Sequence, residues 1–343
     1  MASAVQGRGV VGMQDTIIQD IVEVASGKTL QNVRSFVASS VSSEVNVIYL
    51  LGCGGSHFMF GVMKYLLDAL PVPVIDMNAA EFVARYPQGA GERAIVIASS
   101  THGTTLETAQ AISVSRKSGS PVLLVCQNND NPCANAAKDI VNHNGVEAKQ
   151  ILFSVIAYEL LSAFGSVPDS IPSPEALSTY GHVFLETNQV WEVELTTIAE
   201  AAARADGMTF VVGSGPNEGA ADTLAACYFM EMQNIAAVAS EANDFLHGTH
   251  EMVVDDTNLI VFLGEDSTRS IAQRTAEFGR RFSTNTHVLD SRELPMTGID
   301  STHRGALSAI LYASSVIALL ARKIEAVTEQ PLITRRYMWK VEY

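Results

Sequence analysis

Asn46-Val-Ile-Tyr-Leu-Leu51 runs without interruption into Gly52-Cys-Gly-Gly-Ser56. Five consecutive apolar residues after Asn46, two of them β-branched, predict a strand buried on both faces. Such strands belong to parallel sheets covered by helices. The turn that follows lets the backbone come close to a ligand, and a helix is expected from His57 to about Leu70. Working outward, Val72 to Met77 reads as a short strand, and another helix starts near Ala80. Arg93-Ala-Ile-Val-Ile-Ala98 is a third strand, ending in Ser99-Ser-Thr-His-Gly-Thr-Thr105, with a helix over Leu106–Lys117 and a fourth strand at Pro121-Val-Leu-Leu-Val125. Towards the N-terminus, residues 12–40 look helical, with Ile17, Ile18, Ile21 and Val22 on one apolar face. Strands alternating with helices predict an α/β fold with a doubly wound, mostly parallel sheet.

The pattern then recurs. After helical stretches at 151–165 and 174–205, Met208-Thr-Phe-Val-Val212 leads into Gly213-Ser-Gly-Pro216, and Asn258-Leu-Ile-Val-Phe-Leu263 into Gly264-Glu-Asp-Ser-Thr268. The two glycine turns lie about 160 residues apart, as do the two strand–Ser/Thr turns. The expectation is an internal duplication. A first domain covers 1–165 with its N-terminal helix, a second covers 166–330 with linker helices, and a tail covers 331–343. A chain of 343 residues suits two domains. The alternative is one large open sheet with a coincidental repeat.

With 47% hydrophobic and 17% charged residues, the chain reads as globular. No unbroken apolar run reaches the roughly 18 residues of a membrane span. The N-terminus lacks a basic stretch followed by an apolar core. A cytoplasmic protein with no membrane partner is expected. The net charge of −15 repels a nucleic-acid backbone, so no nucleic-acid partner is expected, and an anionic substrate must be captured locally. Cys53, Cys126, Cys133 and Cys227 form no Cys-x-x-Cys pair and read as reduced thiols.

Three stretches could carry chemistry. Cys53, Gly54, Gly55 and Ser56 lie at a strand end before a helix N-terminus, where open α/β sheets bind ligands. The spacing is neither that of a dinucleotide site nor that of a nucleotide P-loop, and a plain tight turn would look the same. Ser99, Ser100, Thr101, Thr104 and Thr105 put five hydroxyls within seven residues, around His102, again before a helix. That is a good phosphate cradle, and more than one N-cap needs. Residues 231–251 carry Glu231, Glu241, Asp244, His247, His250 and Glu251, the group types that move protons on a sugar. Glu231 follows the apolar run Cys227-Tyr-Phe-Met230. Burial there should raise its pKa, whether it serves as a base or in a structural ion pair. No zinc-ligand spacing appears, and neither a metal nor an organic cofactor is expected.

Together these residues resemble the double-SIS (sugar isomerase) proteins, which include the isomerase half of glucosamine-6-phosphate synthase. Phe229-Met-Glu-Met-Gln233, Phe245-Leu-His-Gly248 and the tail Thr334-Arg-Arg-Tyr-Met-Trp-Lys-Val-Glu-Tyr343 are most similar to the fructosamine-6-phosphate deglycases. The resemblance covers nearly the whole chain. It implies Glu231 as catalytic base, His247 as the acid that opens the sugar ring across a dimer interface, and a homodimer sharing its active sites. It further implies that Ser56, Ser100 and Thr105 bind the sugar phosphate, and that Lys340 lies in a tail closing over the site. The chain departs from the deglycase pattern at His102, at Gly103-Thr-Thr-Leu-Glu-Thr108, at Ala242-Asn-Asp244 and at Gly248-Thr-His-Glu251. The implied substrate is a 6-phosphorylated sugar–amino-acid adduct. The same acid–base pair would serve an aldose–ketose isomerase or an amino-sugar-phosphate deaminase. A non-catalytic phosphosugar sensor is the reading of another class.

Overall fold

β1 (Val47–Gly52) and β3 (Ala94–Ser99) are buried along their whole length in a computed structural model that describes residues 10–87 and 89–342. Strands with no exposed face need partners on both edges and helices on both sides. β1 pairs in parallel with β3, β3 with β4 (Val122–Cys126), and β4 with β5 (Asp139–Asn142). β2 (Val74–Asn78) closes the other edge, giving the order β2-β1-β3-β4-β5. The order reverses between β1 and β3, so the carboxyl ends of these two strands mark the position where such sheets bind ligands. The second sheet has the order β7-β6-β8-β9, all parallel, from β6 (Thr209–Gly213), β7 (Ala237–Glu241), β8 (Leu259–Leu263) and β9 (Thr286–Asp290). Two parallel sheets flanked by helices establish the α/β class expected from the repeat.

The described chain divides into two units. One holds residues up to Leu51 with Ala69–Leu185; the other holds Gly52–Asp68 with Glu186 onward. The segment after β1 therefore groups with the second sheet.

Several local expectations are corrected. The helix over 12–40 is two helices, Val10–Ser26 and Lys28–Ser40, separated at Gly27. Its buried face is Ile21, Val24 and Ala25, whereas Val22 is exposed. The run expected from His57 to Leu70 breaks into Gly55–Phe58, Gly61–Leu66 and a 3₁₀ turn at Leu67–Ala69. The stretch Ser301–Thr328 is long and apolar enough to cross a bilayer by length and composition, although no unbroken apolar run marks it. Most of it is buried inside its own unit, as in a core helix.

Candidate active site

The turn after β3 is held open by its own backbone. Gly103 adopts φ +69°, and a Cβ there would fall 2.0 Å from the Asn131 side chain, so only glycine fits. The Gly103 carbonyl accepts from the Cys133 amide at 3.0 Å, and Thr101 O accepts from the Gln127 amide at 2.9 Å. Ser100, which is buried, donates through Oγ to Thr105 Oγ1 at 3.2 Å. Thr105 is the residue before the helix Leu106–Lys117, yet its side chain makes no capping bond. The Thr105 hydroxyl is thus not used as an ordinary N-cap. His102 and Thr104 are exposed, and Thr101 is half-buried. Behind the turn, Lys149 Nζ donates to Thr101 Oγ1 at 3.0 Å.

The corresponding turns of the second unit are filled differently. Ser214 and Thr268 share a hydrogen bond at 3.0 Å. Asp266 Oδ1 accepts from the Thr268 amide at 2.8 Å, and Asp266 Oδ2 accepts from Asn217 Nδ2 at 3.1 Å. A carboxylate of the chain itself, Asp266, occupies the donors of this turn.

In the second unit, the glycine-rich turn Gly52–Ser56 packs on the helix that carries Glu231. Gly54 is exposed with φ +53°, while Cys53, Gly55 and Ser56 are half-buried. A Cβ on Gly55 would lie 2.9 Å from Cys227 Sγ. Cys227 and Glu231 both belong to Thr223–Gln233, an 11-residue π-helix. Such wide helices are rare and concentrate at functional sites. The burial expected for the apolar run before Glu231 is only partial: Met230 is 46% exposed, and Tyr228 and Glu231 are half-buried. The helix ends at Asn234, in the left-handed conformation that asparagine tolerates. Its last turn is tied to the residue just before the tail: Gln233 Nε2 donates to Gln330 O at 2.8 Å, and Gln330 Nε2 to Met232 O at 2.6 Å.

That tie delivers Arg335 to Glu231. Arg335 is only 7% exposed, and its Nε sits 2.8 Å from Glu231 Oε1, close enough for an ion pair though its N–H is not aligned for a hydrogen bond. Burial raises the Glu231 pKa above the usual carboxylate range, and the Arg335 charge opposes part of that rise. Arg335 Nη1 donates to the carbonyls of Leu332 and Thr334, and its guanidinium lies 5.1 Å from the Trp339 ring centre. Lys340 donates to the Arg335 carbonyl. Lys340 thus fastens the tail, while Arg335, which sequence reasoning did not single out, makes the contact with Glu231.

His247 is exposed and follows the short helix Ala242–Phe245, whose first amides are capped by Glu241 Oε2 at 2.6 and 3.0 Å. Among the described residues no hydrogen bond or ion pair joins His247 to Glu231 in the single chain. His250 lies 3.3 Å from Glu251 and edge-on to Phe278. Among the described residues no group of three or more His, Cys, Asp or Glu is placed to hold a metal ion.

Residues 43–164 match the SIS domain family. The fructosamine deglycase FrlB of Bacillus subtilis is 28% identical over 93% of this chain and 99% of its own length. The fructoselysine 6-phosphate deglycase of Escherichia coli K12 is 23% identical, over 82% of this chain and 83% of its own. A Bacillus subtilis crystal structure, provisionally described as a phosphosugar isomerase, superposes with a TM-score of 0.86 at 26% identity, covering 91% of this chain and 97% of that one. The C-terminal domain of glucosamine-fructose-6-phosphate aminotransferase from Francisella tularensis has the same fold at 14% identity, with a TM-score of 0.71 over 92% and 97% of the two chains. The chain thus matches the SIS domain family over residues 43–164 and is similar over 93% of its length to a fructosamine deglycase.

Proposed function

We propose that this protein is a phosphosugar deglycase that splits a 6-phosphorylated sugar–amino-acid adduct into a hexose 6-phosphate and the free amino acid. The observation that carries the reading is Glu231: a half-buried carboxylate with a raised pKa, on a π-helix beside a glycine-rich turn, in a chain similar over 93% of its length to a fructosamine deglycase. A base whose pKa approaches the working pH is what proton abstraction next to a carbonyl-level carbon needs.

In the proposed reaction the turn Ser100–Thr105 holds the phosphate. His247 protonates the ring oxygen as the ring opens. Glu231 takes a proton from C1 of the ketosamine, giving an enaminol. Return of a proton at C2 gives an imine at C1, and water adds to release the amine and the aldose phosphate. The proposal takes the protein to be a cytoplasmic homodimer in which each subunit lends its exposed His247 to the other's site. The two repeats, at 1–165 and 166–330, would then be paired SIS units, with 331–343 as the segment over the base.

The direct test is release of hexose phosphate from fructoselysine 6-phosphate and glucoselysine 6-phosphate, coupled to a dehydrogenase. Glucose 6-phosphate from the first substrate is the expected result. Turnover only of a sugar phosphate without its amino-acid arm would replace the deglycase reading by an isomerase.

Arg335 bears on the pH profile. Glu231 works ionised, so activity falls as pH drops through its pKa. Removing the opposing guanidinium raises that pKa further. Arg335→Gln should therefore move the acid limb of kcat/KM to higher pH. An unmoved limb would show that Arg335 only fastens the tail.

A further inference from the structure

We infer that Lys149 is the buried cation of the phosphate-binding turn, acting through Thr101 to orient its hydroxyl and to set a positive potential beneath a bound dianion. This rests on the phosphosugar reading above and adds a positioning residue to it.

The helix Gly145–Ala163 is buried continuously from Glu147 to Ala157. Lys149 lies inside that stretch and is 1% exposed. Lysine is among the residues least often buried, because removing an ammonium from water is expensive. Its stem is packed and its head aimed. Nζ lies 5.6 Å from the centre of the Phe153 ring, one turn along the same helix, and donates at 3.0 Å to Thr101 Oγ1. A hydroxyl that accepts from a cation becomes a stronger donor in its turn. Thr101 stands in the middle of the hydroxyl run, between Ser100 and His102, two residues before the glycine that shapes the turn.

The neighbouring histidine fits the same design. His143 is buried and makes its ring contact with Gly145 O at 3.0 Å. Burial first, and then the charge of Lys149, push its pKa down to about 3, with His102 adding to the effect. His143 stays neutral at physiological pH and does not add a second buried charge. In a chain of net charge −15, a cation screened from solvent keeps an attraction that surface lysines lose to salt.

The test is isothermal titration of the full-length protein with glucose 6-phosphate and with glucose. Lys149→Met should weaken glucose 6-phosphate binding about 10- to 100-fold, the range for loss of a charged hydrogen-bonding group, and leave the affinity for glucose unmoved. Lys149→Arg should recover much of the loss, because it restores charge and donor. A purely structural lysine would lower the melting temperature without changing the ratio of the two affinities, and that result would overturn the inference. Should Lys149→Met fail to fold, Thr101→Val carries the test. It should lose affinity for the phosphorylated sugar alone, and unchanged binding would equally overturn the inference. A wild-type protein that bound no hexose phosphate would instead sink the deglycase reading itself.

Discussion

Replacing Glu231 by glutamine should lower kcat by about 10²- to 10⁴-fold, the range for loss of a general base. The amide is nearly the same shape as the carboxylate but cannot take a proton from C1. The fold should survive. Arg335 keeps its bonds to the Leu332 and Thr334 carbonyls, and the π-helix keeps its ties through Gln233 and Gln330. Circular dichroism and a melting curve on the same sample check that point. Near-normal turnover in a folded variant would remove Glu231 from the mechanism. A mixing experiment then separates the acid from the base. Glu231→Gln and His247→Gln dimers should each be nearly inactive. Equilibrated together, they form mixed dimers in which one site has both groups intact. Recovery to about a quarter of wild-type activity is expected if subunits pair at random in a two-fold dimer. A mixture as inactive as its parents would show that His247 serves no partner.

The second large effect concerns acid stability, and its source is His143. In the folded chain its pKa lies at about 3, against an ordinary 6.5. Above pH 6.5 the ring is neutral both folded and unfolded, and its protonation contributes nothing to pH dependence. As pH falls below 6.5, the unfolded chain binds a proton that the folded chain refuses until pH approaches 3. Stability is therefore lost across that window, at up to about 1.4 kcal/mol per pH unit. Between pH 7 and 4.5 the wild type should lose roughly 2–3 kcal/mol more than His143→Gln in urea unfolding. Comparing the two proteins cancels the carboxylates they share. Equal losses would mean that His143 takes its proton without unfolding.

The legible parts of the fold were those where burial and chemistry coincide along the chain. The six buried residues of β3, the hydroxyl run after them and the helix Leu106–Lys117 could be read directly, since one continuous segment carries strand, turn and helix. Three edge strands could not. Ala237-Val-Ala-Ser-Glu241 is small, polar and half-exposed, Asp139–Asn142 is short and bounded by polar residues, and Thr286–Asp290 alternates without an apolar run. Their strand character comes from pairing with a buried neighbour, which is a tertiary effect. Glu231 stood out because it interrupts an apolar run. Its π-helical setting did not, since that depends on backbone hydrogen bonding. Arg335 was only one of two adjacent arginines in the tail, and nothing local distinguishes it from Arg336. Lys149 left a faint signal, a lone cation at the start of a long apolar helix, of the kind usually taken for a solvated first turn.

The filled turn of the second unit has a thermodynamic consequence. A phosphate bound in the first turn stabilises its unit only to the extent that ligand exceeds its dissociation constant, growing with the logarithm of concentration. Asp266 is an anion that the chain carries with it. Its bonds to Thr268 and Asn217 form at every substrate level and need no diffusing partner. One half of the duplicated protein should therefore gain thermal resistance as hexose phosphate accumulates, while the other is always in its liganded state, supplied by its own sequence.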